Sequence, residues 1–127
     1  MAASEDIARI IEQERSLVFP EFDEATAFAV GMVVRDRAVN EKLGVVCDIR
    51  LWDRPLVYFA MPGTSGDNPI WALRKSNTVR RKLKSSYRVV LEAGHNEEIF
   101  PADRNLPAAE FALSGGSFPV KVKGAGV

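Results

Sequence analysis

An α+β fold, with helices flanking an antiparallel sheet in the order α-α-β-β-α-β, is predicted by three features of the chain. Two segments of helical periodicity occupy the first forty or so residues. Two short runs of alternating apolar residues, VVCDIRLW and PLVYFAM, then follow with almost nothing between them. A long basic segment of helical spacing comes next, and the chain closes on a glycine-punctuated stretch with a third alternating run, SGGSFPVKVKG.

Each element has its own justification. In the first helix, residues 4 to about 17, Ile7, Ile10, Ile11, Glu14 and Leu17 fall at helical spacing, Ser4 is placed to cap and Pro20 bounds the far end. The second, DEATAFAVGMVVRDRAVNEKLG, has Asp23 as N-cap, Ala27, Val30, Val34 and Ala38 on one face, and Gly44 as its stop. Val45, Cys47, Ile49 and Leu51 share a face of the next run, and a turn at Asp53, Arg54 and Pro55 leads into its partner, so the two form an antiparallel hairpin. Asp67 or Asn68 then caps a long third helix, with Pro69 in its first position, a core stripe of Ala72, Ser76, Val79, Leu83, Tyr87 and Val90, and Gly94 as its left-handed end. In the last run Val120 and Val122 oppose Lys121 and Lys123. Its sheet edge is left without a returning strand, which asks for a neighbouring chain or for a further C-terminal portion.

Composition bounds the function. At 127 residues, 46% hydrophobic and 27% charged, the chain is expected to be one globular domain, residues 1–127. There is no apolar run of about 18 residues and no signal-peptide centre at the N-terminus, which predicts a cytoplasmic protein without a membrane span. Cys47, the single cysteine, lies among apolar residues and reads as a buried, inert thiol. The formal charge is zero, yet Arg74, Lys75, Arg80, Arg81, Lys82, Lys84 and Arg88 face only Glu92 between residues 69 and 93. Such a basic segment suits nucleic acid, a solvated helix face or the acidic surface of another subunit, and nucleic acid is the least favoured of these.

The stretch PGTSGDNPIW carries the main chemical question. Gly63, Thr64, Ser65 and Gly66 run into a helix N-terminus, where backbone amides and the helix dipole attract a phosphate, a carboxylate or a haem propionate. The same residues also serve as a plain turn and cap; Asp67 opposes an anion there, and the loop lacks the G-K-[ST] ending of a phosphate loop. Trp71 either stacks on a planar ligand or packs within the protein. Ser114, Gly115, Gly116 and Ser117 form either an amide nest or a turn. His95, the only histidine, follows a helix-ending glycine, and no G-x-S-x-G elbow accompanies it, which disfavours a nucleophilic triad and leaves axial haem ligation as a minor reading. Glu97, Glu98 and Asp103 read as solubilising acids, and no metal site is expected.

Taken in order, PGT, DNPIW, RKSNTV, KSS and GGSFPVKVKGAGV resemble the haem-degrading-domain family, the GlcG/HbpS-like proteins, over roughly residues 20–127, and within it a short branch. The W-x-x-x-K-x-x-T core, here Trp71, Lys75 and Thr78, is the most specific part. The resemblance implies a profilin-like layout, homo-oligomers, and in some relatives haem binding or degradation. Relatives continue beyond the equivalent of Val127 into another strand, with an aspartate-histidine pair, and a final helix, so the layout expected here lacks that C-terminal strand and helix.

The function expected from all of this is an oligomeric ligand-binding protein taking haem or a small anion, with Gly63, Thr64, Asn68, Trp71, Lys75, Thr78, Gly115 and Gly116 as candidate ligand-binding residues. The alternative is a non-catalytic homo-oligomeric scaffold for protein partners. Charge segregation predicts that the basic helix of one subunit meets the acidic first and second helices of another, with Trp71 near that interface.

Overall fold

The computed structural model describes residues 2–52, 54–94 and 106–127. Its elements are α1 (Ala2–Ser16), β1 (Val18–Phe19), α2 (Glu24–Asn40), β2 (Val46–Leu51), β3 (Arg54–Ala60), α3 (Asp67–Lys82), α4 (Ser86–Ala93) and β4 (Lys121–Val122). They are distributed over two compact units: Glu21–Ala72, and Met1–Pro20 together with Leu73–Val127. Helix α3 runs through the division between them.

The first unit is a hairpin covered by a helix. Asp23 caps α2 as expected, its carboxylate accepting from the Thr26 N–H at 2.8 Å. The helix does not reach Gly44. It ends at Asn40 in a Schellman motif in which the Leu43 N–H donates to Ala38 O and the Lys42 N–H to Val39 O, with Lys42 itself left-handed at φ 54°. Gly44 serves a different need: a Cβ there would lie 3.2 Å from the Pro62 carbonyl. Strands β2 and β3 pair antiparallel, Cys47 opposite Phe59 and Ile49 opposite Val57. Leu51 already pairs with Arg54, inside the expected Asp53–Pro55 turn; Trp52 takes φ 57°, and Asp53 lies outside the described residues. Pro55 lies inside β3, beside a bulge between Ile49 and Arg50, a position that tolerates a residue with no N–H.

Helix α2 approaches this sheet closely because its inner face is small: Ala27, Gly31 and Ala38 are buried, and a Cβ on Gly31 would lie 2.8 Å from Val57 Cγ1. Val57 shares a sheet face with Ile49, so the covered face is the one that carries Cys47. Cys47 is buried, as its sequence context predicts, and burial pushes its thiol pKa up, away from reactivity.

The second unit packs α1 against α4. Val89, Leu106 and Leu113 form its core, with Val90, Ala93 and Phe111 packed around them, and each fully buried aliphatic side chain contributes about 1.5–3 kcal/mol. The long third helix expected from periodicity is two helices. Leu83 breaks it at φ 59°, and Ser85 starts α4 by accepting the Arg88 N–H at 3.2 Å. The expected stripe therefore fails at Leu83 and Tyr87, which are exposed, whereas Val89 is buried in their place. Local polar side chains offered the backbone an alternative to continuing the helix. Gly94 ends α4 left-handed at φ 74°, as predicted.

The final strand also differs from expectation. Only Lys121–Val122 is extended, and it pairs in parallel with β1, which the sequence reading did not foresee; the chain then curls back so that the Gly126 and Ala125 N–H groups both donate to Val122 O.

Candidate functional site

The loop before α3 is closed on itself. Thr64 bonds Met61 O twice, from its N–H at 3.3 Å and its hydroxyl at 2.8 Å, and Gly63 turns at φ 96°. Ser65 caps α3: its hydroxyl accepts from the Asp67 N–H at 3.3 Å while Asn68 Oδ1 reaches back to the Ser65 N–H at 2.9 Å. The helix thus begins ahead of Pro69, and Asp67 and Asn68 lie within it rather than capping it. Several amides that an anion would use already have partners in the loop.

Along α3, Trp71, Lys75 and Thr78 share one face at i, i+4 and i+7. Thr78 is 1% exposed. Its hydroxyl accepts from the Ala112 N–H at 3.2 Å and lies 2.8 Å from Ala112 O, with Arg74 O at 3.2 Å as a second acceptor. Asn77 donates to Glu110 O at 2.8 Å. This side of α3 therefore fixes the chain at 110–112, and Thr78 is a structural anchor.

That anchoring carries Gly115 and Gly116 into place. A Cβ on Gly115 would lie 3.2 Å from the Tyr87 ring, and one on Gly116, at φ 124°, would lie 3.3 Å from Lys75 Nζ. Gly116 is required by its φ, and Gly115 is favoured because Tyr87 lies against it. An open cleft of about 180 Å³ adjoins them, lined by Ile10, Gln13, Ser85, Tyr87, Gly116, Ser117 and Phe118. Tyr87 and Phe118 are 43% and 42% exposed there, and the Tyr87 hydroxyl donates to Asp6 Oδ2 at 3.2 Å, which holds its phenol pKa above the ordinary value.

Of the eight predicted site residues, Lys75, Thr78, Gly115 and Gly116 come together in the unit containing Leu73–Val127. Gly63, Thr64 and Asn68 form the loop and cap in the other unit, where Trp71 is half-buried. His95, Glu97, Glu98 and Asp103 lie outside the described residues.

Beneath the cleft is a polar network that the sequence reading missed. Glu14, 2% exposed, accepts from Arg88 Nη1 at 2.8 Å and from the Ser85 N–H at 3.1 Å. Burial opposes the charge of Arg88, but hydrogen bonds to Glu14 and Glu92 raise its pKa above the ordinary value. Burial also opposes the charge of Glu92, yet Lys84 and Arg88 hold its carboxyl below the usual range. Ser86 and Ser117 lock the cleft floor, the Ser86 N–H donating to Ser117 O at 2.9 Å and the Ser117 N–H to Ser86 Oγ at 3.0 Å. Two signals for this were present: a glutamate in the apolar stripe of α1, and the KSS triplet. Part of the expected charge match between acidic and basic helices is thus made inside the chain, by Glu14 and Arg88.

The haem-degrading-protein HbpS-like family model matches residues 22–127. A UPF0303 protein of Mesorhizobium japonicum is 54% identical over 127 residues, covering all of this chain and 76% of its own length. A UPF0303 protein of Brucella anthropi is 50% identical over 121 residues, or 95% of this chain and 72% of the relative. Among solved structures, the Ybr137w protein superposes with a TM-score of 0.81 at 21% identity, covering 94% of this chain and 70% of that one, and so shares the fold. The layout is the mixed, profilin-like one read from the sequence, with a small antiparallel sheet and helices. With that family model matching residues 22–127, this chain belongs to the HbpS-like haem-degrading-protein family.

Proposed function

We propose that this chain is a cytoplasmic, oligomeric ligand-binding protein of the HbpS-like family, taking an anionic ligand: haem, or another small anion. The observation that carries this reading is the Lys75 ammonium, 3.3 Å from where a Cβ on Gly116 would lie, beside a cleft edged by the Tyr87 and Phe118 rings. A cation offers charge complementarity to a carboxylate, and exposed aromatic rings suit a flat apolar body. At about 180 Å³ the cleft is smaller than the roughly 300–1,000 Å³ of drug-sized sites, so it holds a small anion or the propionate end of a tetrapyrrole rather than a whole macrocycle.

Titration with haem, followed by its absorbance, and with a panel of small carboxylates and phosphates, followed by thermal shift, tests the reading. A ligand at 100 times its dissociation constant adds about 2.7 kcal/mol of stability. Saturable binding that Lys75→Met weakens supports the site, and no saturable shift with any probe defeats it.

A second reading, a non-catalytic scaffold, is supported by a specific observation: the loop amides of Thr64 and Ser65 and the Thr78 hydroxyl are already bonded within the chain. Nucleic acid is less favoured, because Lys84 and Arg88 are paired with Glu92 and Glu14.

A further inference from the structure

Helix α2 is apolar on two sides. Its small face covers the hairpin, while Phe28, Met32 and Val39 are 53%, 52% and 50% exposed. At 3.6 residues per turn these three lie within about 40° of one another and form a single stripe. The stripe is turned about 100° from the buried face, and a helix with two such apolar faces calls for a second packing partner, since scattered exposure is ordinary but a contiguous stripe is not.

The charges beside the stripe indicate which partner. Glu24 and Arg35 lie on the same flank, eleven residues or about 16 Å apart, and the opposite flank carries the small residues Ala25 and Ala29 together with Asp36. When two copies of a helix pack face to face and antiparallel, the two-fold axis sets like flank against like flank. An axis passing midway between Glu24 and Arg35 therefore sets Glu24 of each copy against Arg35 of the other, twice over. The same register puts Phe28 beside the second copy's Met32, within one residue's rise, and lets the helices approach over Ala25 and Ala29. Within the chain, Glu24 accepts from Arg54 at 2.7 Å and Arg35 lies 3.4 Å from Asp36, all of them exposed pairs that leave room for a further partner.

We propose that α2 is a homodimer surface, pairing antiparallel with α2 of a second copy through Phe28 and Met32 and through reciprocal Glu24–Arg35 ion pairs. This deepens the oligomeric part of the function proposed above and rests on it. Being isologous, the contact closes on itself and makes dimers, or dimers as the building block of a larger ring.

Sedimentation of the full chain at micromolar concentration tests it, with circular dichroism as the check on folding. The native chain is expected at an even multiple of 14.0 kDa. Phe28→Glu combined with Met32→Glu is expected to halve that mass with the helical signal retained, since both side chains are more than half exposed. Arg35→Glu and Glu24→Arg should each weaken the dimer by about fivefold, and together restore it. A native monomer overturns both this surface and the oligomer, whereas haem titration judges the ligand reading separately. An oligomer whose mass ignores the Phe28/Met32 double variant places the interface elsewhere and overturns this surface alone. A mass unchanged with a lowered melting temperature shows that the stripe packs within one chain, and overturns it too. Single charge variants that weaken the dimer without mutual rescue overturn the antiparallel register.

Discussion

The unit Glu21–Ala72 and the unit built from Met1–Pro20 and Leu73–Val127 are held together by different physics. In the first, a helix with a face of Ala27, Gly31 and Ala38 lies close on a two-stranded hairpin, and the contact is steric. In the second, a small apolar core of Val89, Leu106 and Leu113 is accompanied by a buried Glu14–Arg88 pair and by side chains bonded to distant backbone. The first should respond to volume and the second to loss of a partner atom. Among the described residues, the candidate ligand cluster with both charge and a cleft lies in the second, where polar groups hold glycine backbone in place.

The largest effect expected from that contrast is at Glu14. Glu14→Ala leaves the Ser85 N–H without its acceptor and the Arg88 guanidinium with Glu92 alone, and should cost about 3 kcal/mol in urea unfolding. Because Arg88 keeps 19% side-chain exposure, solvent rescues part of it, so the lower end of the usual range for a broken buried pair applies. The double variant Glu14→Leu with Arg88→Leu should cost less than the two single changes combined; strict additivity would show the pair to be uncoupled.

Next in size is Gly31→Ala, which places a methyl 2.8 Å from Val57 Cγ1 and should destabilise by about 1–2 kcal/mol through overpacking. Val57→Ala should recover part of that loss. Failure of the rescue would mean that α2 can shift on the hairpin, and the steric account would be wrong.

Ser85→Ala removes the α4 cap and should cost about 1 kcal/mol, with Ser85→Thr retaining most of the stability. A thermal melt in which alanine and threonine behave alike would count against the cap.

The smallest effect expected is in the dependence on pH. The Asp23 carboxyl is held below its usual value by the Thr26 N–H and hydroxyl, and that of Glu24 by Arg54. A depressed carboxyl stabilises the fold above its unfolded pKa, and the contribution disappears as pH falls through the lower, folded value. Tyr87 has the opposite sign: its raised phenol contributes fully below the unfolded pKa near 10 and less as pH climbs through the folded one. Acid should thus loosen the α2 cap and, in the other unit, the Glu92 contacts with Lys84 and Arg88, and strong alkali the Tyr87–Asp6 contact. Residue-resolved chemical shifts across both pH ranges would show each transition.

Much of the first unit was legible because its determinants are local. Asp23 and its helix, the alternation of VVCDIRLW and the burial of Cys47 all follow from neighbours in sequence. The candidate site was only partly legible: W-x-x-x-K-x-x-T located Lys75 and its helix face, but Thr78 proved to be an anchor for Ala112, thirty-four residues away. No periodicity reports a bond over that separation.

The sequence by itself determined the mixture of helices and hairpin, the Asp23 and Gly94 caps, and the glycines at 115 and 116, because each depends on side-chain spacing or on which residues tolerate a given φ. Tertiary structure decided that Glu14 meets Arg88 and that Lys121–Val122 pairs with Val18–Phe19. In each case the partner lies far along the chain. A buried charge must find its counterion and an extended backbone its acceptor, and only the folded arrangement brings them within reach.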